Sequence, residues 1–324
     1  MSLSKLVTGL VLFAKNEATN GAGATLTGST DTIQVAQELP VFNYGFTFDG
    51  DRKGAQQTGG NLRRTGPGGR TAEGKVKMEC KGSGSALTAG NPVPNLHPFL
   101  LASGFTSSFG TGTWTYTPVP ISTPDISLAL EVYDRGEKLP ISGAFCAMTM
   151  TANGAEPTYF EFDVKGTAGV IADASVPGRF YNSHTVVPPK NESLGLTIFG
   201  TSNLRIRNYS YTHGIEIAPR VDLNASTGHA GFALGRRKPE LKITVEAEAL
   251  STFDPYAAWV AGTTGSVTFT VGSVTGNKMT FTLPQCQIKT CERGADGPLA
   301  IWNLTFAPFT SAPDTDDDVT IAFS

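Results

Sequence analysis

The pattern of apolar and turn-forming residues occurs twice along this chain, and that repeat limits the fold more than any single motif does. The segment CAMTMTANGAE at 146–156 returns as CQIKTCERGAD at 286–296. Both copies open on a cysteine, Cys146 or Cys286, and close on Gly-Ala-acid at the same spacing. Both run on into an aromatic strand, Tyr159 to Val164 in one and Ile301 to Phe306 in the other. Upstream, KVKMEC at 75–80 aligns with KITVEA at 242–247. Each is followed by a helix-like segment with an aromatic next to proline, around Pro98 and Pro255, and proline is preorganised for a first helical turn. Strand, long loop, strand, short helix, strands is therefore the order of each half.

Alternation predicts which residues point inward. In the first copy Val76, Met78 and Cys80 face a core while Lys75, Lys77, Glu79 and Lys81 face out. In the second, Leu241, Ile243, Val245 and Ala247 face in while Lys242, Thr244, Glu246 and Glu248 face out. Similar runs cover 127–133, 159–165, 267–271 and 278–283, with Asn153-Gly154 and Gly276-Asn277 as turn signals. Helices are expected only near 95–104 and 253–262. With 324 residues, at about 150 per domain, the chain has room for two domains. The expected fold is all-β: two tandem sandwich-like domains, 1–166 and 194–324, each with one short flanking helix. Residues 167–193, with Pro177, Gly178, Pro188 and Pro189, read as the linker.

Composition agrees and excludes several classes. Glycine (37) and proline (20) punctuate many short strands. Twenty-five basic against 28 acidic residues leave a net charge of -3, which excludes a general nucleic-acid binder. Only 16% of residues are charged, which excludes a coiled coil and a charge-driven disordered chain. Residues 1–14 read as a first strand rather than a secretory signal, because Thr8 and Gly9 break a short apolar run. No stretch reaches the roughly 20 apolar residues of a membrane helix, so no membrane partner is expected. Cys80, Cys146, Cys286 and Cys291 lie in strand-like segments and read as reduced core thiols, without the close spacing of zinc ligands.

Catalytic patterns are missing from the sequence. There is no G-x-S-x-G, no G-x-x-x-x-G-K-[ST] and no H-E-x-x-H. His97, His184, His213 and His229 stand apart and read as structural. Glu131, Glu161 and Glu246 lie on separate strands and read as solvated positions, although a carboxylate pair for glycoside hydrolysis would use such groups. Ser83 reads as part of a turn. The run Asp314, Asp316, Asp317, Asp318 lacks the glycine and distal glutamate of an EF-hand. It reads as a solvated connector or as an acidic contact for a basic loop. Trp114, Trp259 and Trp302 fall in core-like patterns rather than on an exposed aromatic platform.

One feature is unusual for a plain sandwich. A long Gly-rich segment, Asp49 to Arg70, carries Arg52, Lys53, Arg63, Arg64 and Arg70. Its counterpart, Pro219 to Lys238, carries Arg220, Arg236, Arg237 and Lys238. Loops of this length are functional or ordered by a partner, and the basic pairs in both copies favour protein contacts over DNA.

With the run LFAKNEAT at 12–19, the tandem copies with basic loops, and the closing strand DVTIAF at 318–323, the chain resembles the major tail tube proteins of bacteriophages with long non-contractile tails. That resemblance implies a structural, non-enzymatic virion protein without cofactors, made in the bacterial host cytoplasm and carried in the virion tail. It implies stacked rings around a continuous inner β-barrel, with the long loops reaching the next ring. A fused pair of tube domains implies a homotrimer of pseudo-sixfold symmetry. The implied partners are the chain itself, the tape measure, the tail terminator and the distal tail protein, with viral DNA passing unbound. An inner wall that lets DNA slide must not hold phosphates, so Glu79, Glu246 and Glu248 are the candidate lumen residues. The basic residues Arg52, Lys53, Arg63, Arg64, Arg70, Arg220, Arg236 and Arg237 are the candidate inter-ring contacts. The competing reading is a tandem β-sandwich binding or decoration module on a virion or cell surface.

Overall fold

The computed structural model describes residues 11–36, 42–46, 70–89, 95–120, 123–134, 136–154, 156–178, 186–191, 194–222, 224, 229–312 and 315–324. The first half holds β1 (Val11–Asn16), β2 (Thr32–Ile33), β3 (Phe42–Phe46), β4 (Arg70–Glu79), α1 (His97–Ala102), β5 (Phe105–Gly110) and β6 (Thr113–Pro118). It continues with β7 (Leu128–Asp134), β8 (Glu137–Asn153), β9 (Tyr159–Ala168) and β10 (Ala172–Asp173). The second half holds β11 (Thr197–Ile198), β12 (Thr201–Ser202), β13 (Ile206–Thr212), β14 (Ile217–Val221), β15 (His229–Leu234) and β16 (Glu240–Glu246). It ends with α2 (Pro255–Val260), β17 (Thr264–Val271), β18 (Met279–Asp296), β19 (Leu299–Pro308) and β20 (Thr320–Phe323).

The fold is all-β, as the alternation predicts. In β9, Phe160, Phe162 and Val164 are buried while Tyr159, Glu161, Asp163 and Lys165 take the other face. An antiparallel sheet of eight strands runs in the order β3-β4-β9-β8-β13-β16-β19-β18. Four strands come from each half. One face of this sheet is the core side, and on it the buried residues of both halves form one cluster. There Phe99 of α1 packs 5.2 Å from Phe162, and Tyr209 packs 4.5 Å from Phe269. A second layer covers that core with β2-β1-β7 in the first half and β5-β6-β20 with β17-β11-β12 in the second.

The two long strands β8 and β18 serve both layers. Residues 137–144 of β8 pair with β7, and residues 149–153 pair with β13. In β18, residues 279–282 pair with β20 and residues 286–296 with β19. Each bends where its register shifts, between Ser142 and Phe145 or between Ile288 and Thr290, as β-bulges bend strands.

The halves are joined by the β8–β13 and β20–β6 pairings as well as by the segment 167–193. That segment itself stays attached: β10 pairs with Glu137 and Lys138, and Asn277 Nδ2 donates to the Val187 carbonyl. The pairings also correct the alignment of the repeat. Met148 stands opposite Phe162, and Ile288 opposite Phe306, so Phe162 and Phe306 correspond. Val76 pairs with Phe162 and Leu241 with Phe306, so KVKMEC corresponds to residues 240–245, two residues before the match expected from sequence. A slip of two keeps every side chain on its own face, which is why sequence similarity does not detect it.

A larger difference concerns Pro219 to Lys238. Expected as a loop ordered only by a neighbour, it contains the hairpin β14–β15, with Ile217 opposite Leu234 and Pro219 opposite Phe232. Phe232 is buried, as is Ile215 just before the hairpin. Those apolar anchors, spaced for a hairpin, order the segment within its own chain.

Candidate functional site

The face of the eight-stranded sheet away from the core carries polar side chains along its whole width. Lys75, Lys77 and Glu79 on β4 alternate with core residues, as do Glu161, Asp163 and Lys165 on β9. Thr149 and Thr151 on β8, Ser210 on β13, Lys242, Thr244 and Glu246 on β16, and Asn303 and Thr305 on β19 continue it. Two open grooves lie on this face. One, of about 950 Å³, is lined by Lys75, Glu161, Asp163 and Lys165; the other, of about 530 Å³, by Thr151, Ser210, Lys242 and Asn303.

Cations on this face are set against anions or rings. Lys75 Nζ lies 2.9 Å from Glu161 and 3.2 Å from Asp163, and those hydrogen bonds raise its pKa. Lys165 lies 3.6 Å from Glu73, and Lys77 sits 4.3 Å over the Tyr159 ring. Glu240 takes Lys289 at 3.0 Å and Lys242 at 3.5 Å, which lowers its pKa. Each exposed pair contributes little to stability. Together they leave a mixed-charge surface rather than a basic track.

Glu79 and Glu246 lie on this polar face. Glu246 also takes Arg207 at 3.2 Å and Arg205 at 3.6 Å, and Glu248, just past β16, takes Arg205 at 3.8 Å. The basic residues expected at inter-ring contacts scatter. Arg70 opens β4 opposite Phe46, and Arg220 and Arg236 are exposed on the β14–β15 hairpin and just after it. Arg237 is committed within its own chain, its guanidinium 2.8 Å from Asp316 and 2.7 Å from Asp318. The acidic run therefore contacts a basic residue, as expected, but in the same chain. Arg52, Lys53, Arg63, Arg64 and Asp314 lie outside the described residues.

Other sequence candidates take structural places. His213 is fully buried between Tyr211 and Phe105, and burial, with the charge of Arg237, lowers its pKa to about 3. His97 bonds Tyr116 at 2.9 Å, and burial lowers its pKa to about 4. Glu131 pairs with Lys138, Glu161 with Lys75 and Glu246 with Arg205 and Arg207, so each carboxylate has a basic partner. Cys80, Cys146 and Cys286 are buried free thiols and Cys291 is half-buried. Among the described residues, no cluster of His, Cys, Asp or Glu is placed to hold a metal, and no helix is long and apolar enough to cross a membrane.

Two features escape sequence reading. Trp259, expected in a core, is 40% exposed on α2 beside Tyr256 and Val260, because no second layer covers that helix. The other is the state of the sheet ends. Beyond Ile288, β18 has β19 on one side and no strand on the other among the described residues. At the opposite end, β3 pairs only with β4.

A sheet made of two like four-strand modules, with polar cover on one face and unpartnered ends, is an assembly unit rather than a catalytic centre. Comparison with curated proteins finds no match. A family model described as phage tail tube protein matches residues 11–324, nearly the whole chain and both halves of the repeat. The chain belongs to the phage tail tube protein family.

Proposed function

We propose that this chain is the major tube subunit of a long non-contractile phage tail, assembling as trimeric rings that stack into a hollow tube for viral DNA. The observation that carries the reading is the β8–β13 junction, where two like four-strand modules already form one sheet inside a single chain. Three copies supply six such modules, and cyclic closure removes the exposed sheet ends. In this reading the polar face is the wall of the lumen. Its paired lysines suit a surface past which DNA moves without specific binding. Glu79, Glu246 and Glu248 then line or border the lumen.

Arg52, Lys53, Arg63, Arg64, Arg70, Arg220 and Arg236 serve contacts between stacked rings, while Arg237 stabilises the subunit. The tape measure protein occupies the lumen during assembly, and the terminator and distal tail proteins cap the ends. The chain is made in the host cytoplasm and resides in the virion tail. Native mass spectrometry with negative-stain microscopy tests this reading. Species of three chains and hollow tubes are expected; stable monomers at every concentration, or rings of six whole chains, would overturn it.

A further inference from the structure

The internal repeat specifies how two copies of the chain meet. Val76 corresponds to Leu241, so Lys77 corresponds to Lys242. Ala36 donates its amide to the Lys77 carbonyl at 2.8 Å, and Ser210 stands opposite Lys242. Ala36 thus holds in the first half the place that Ser210 holds in the second. On the other flank, Phe162 corresponds to Phe306, hence Tyr159 to Asn303. Thr151 is opposite Tyr159 and Glu292 opposite Asn303, so Thr151 corresponds to Glu292. Within the chain, Ser210 pairs with Thr151. Their counterparts, Ala36 and Glu292, stand at opposite ends of the same sheet.

We propose that the Cys291–Arg293 edge of β18 pairs antiparallel with the Val35–Ala36 edge of a second copy, with Ala36 opposite Glu292. This rests on the ring reading above and adds the edges and their register. Backbone direction agrees on both sides. Ala247 donates to the Ala300 carbonyl, so residues 300, 302 and 304 of β19 bond toward β16 and Asn303 bonds toward β18. The Glu292 amide is thereby used within the chain, and the amides of Cys291 and Arg293 point outward. Ala36 uses its amide on Lys77, so that of Val35 points outward. Val35 and Arg293 then form a hydrogen-bonded pair, flanked by the non-bonded pair Ala36 and Glu292. The internal junction has the same phase: His213 donates to the Met148 carbonyl at 3.0 Å, which makes Tyr209 and Ala152 the bonded pair.

Side chains support the same seam. Lys289, Glu292, Arg293 and Asp296 place charge along the free edge, a device that discourages indiscriminate strand pairing. Trp259 Nε1 donates to the Lys289 carbonyl at 3.2 Å, which fixes α2 beside that edge. Tyr256 is 54% and Val260 67% exposed there. At the internal junction, Phe105, just after α1, stacks 4.4 Å from His213 of the following half. A second copy completes the corresponding cover over α2.

The test uses the full chain with Cys291→Ser, carrying Ala36→Cys together with Glu292→Cys, under oxidised glutathione. Non-reducing gels should show closed trimers, while either single substitution gives monomers; Ala36→Cys with Thr290→Cys should link at least tenfold less. A second variant, Arg293→Pro, removes only an outward amide, so it should keep the circular dichroism spectrum and lose ring formation. If wild-type chains form trimeric rings but the in-register pair fails to link, or Arg293→Pro assembles normally, the seam is overturned and the ring reading stands. If wild-type chains never form rings, the ring reading itself fails.

Discussion

Glu17 and Gly143, 126 residues apart, are joined through the Gly143 amide, which lies 3.0 and 3.1 Å from the two carboxylate oxygens of Glu17. The same buried carboxylate accepts from the amides of Gly21 at 2.7 Å and Gly23 at 2.9 Å, and from Ser127 Oγ at 2.6 Å. It pins the loop after β1 to β7 and to the bend of β8. Gly143 has φ 58° and would meet Gly21 if it carried a side chain, so this contact needs glycine. Replacing Glu17 with Gln turns one acceptor into a donor facing donors. A loss of about 3 kcal/mol in urea unfolding of the subunit is expected. A loss under about 0.5 kcal/mol would show that the loop is held by something else.

His213 makes the subunit acid-sensitive. Its pKa is about 3 in the folded chain, against 6.5 as the ordinary value. The unfolded chain therefore binds a proton as pH falls below 6.5 while the folded chain does not, and stability is lost over that range down to about 3. From pH 7 to pH 5 this one residue costs about 2 kcal/mol. His213→Leu should reduce the pH slope of unfolding by about that amount, and an unchanged slope would refute the assignment.

Arg237 and Arg236 are neighbours with different duties. Removing Arg237 leaves Asp318, which is almost fully buried, without its counter-charge. Arg237→Ala should destabilise the isolated subunit by about 3 kcal/mol. Arg236→Ala should change it by under about 0.5 kcal/mol and act, if at all, on tube length. Equal melting temperatures for the two variants would contradict this division.

The thiols should report burial directly. Burial pushes Cys80 and Cys286 to about 12 and raises Cys146 as well, whereas Cys291 is half-buried and less shifted. Iodoacetamide at pH 8 should label one site per folded chain, at Cys291, and four after denaturation. Native labelling at Cys80 or Cys146 would show that the core opens.

Deleting Gln56 to Gly68 tests the long loop of the first half. The expected product is a soluble, folded subunit that forms rings yet does not extend tubes. Tubes of normal length from the deletion would remove that loop from the stacking contact.

Much of the fold is legible because it rests on period-two alternation, which β4, β9 and β16 carry cleanly. The same periodicity hides the two-residue slip of the repeat, since a shift by one full period changes no face. The hairpin at 217–234 is obscured by its Gly-rich, basic composition, although the pairing of Ile217 with Leu234 is the kind of apolar contact that holds such an element. Exposure of Trp259 depends on whether a second layer covers α2, and a helix of six residues is too short for periodicity to decide. Glu17 is illegible for another reason: its donors come from residues up to 126 positions away.

The double duty of β8 and β18 bears on mechanics. Each is one unbroken backbone that is hydrogen-bonded in the outer layer along one stretch and in the polar-faced sheet along another. Peeling the layers apart means rupturing the ladders of a shared strand, many bonds at once. Sliding at a sheet end loads only a few. An assembly of such subunits, stretched or inflated, yields between chains while each chain stays whole, so damage takes the form of lost subunits and leaves no unfolded ones.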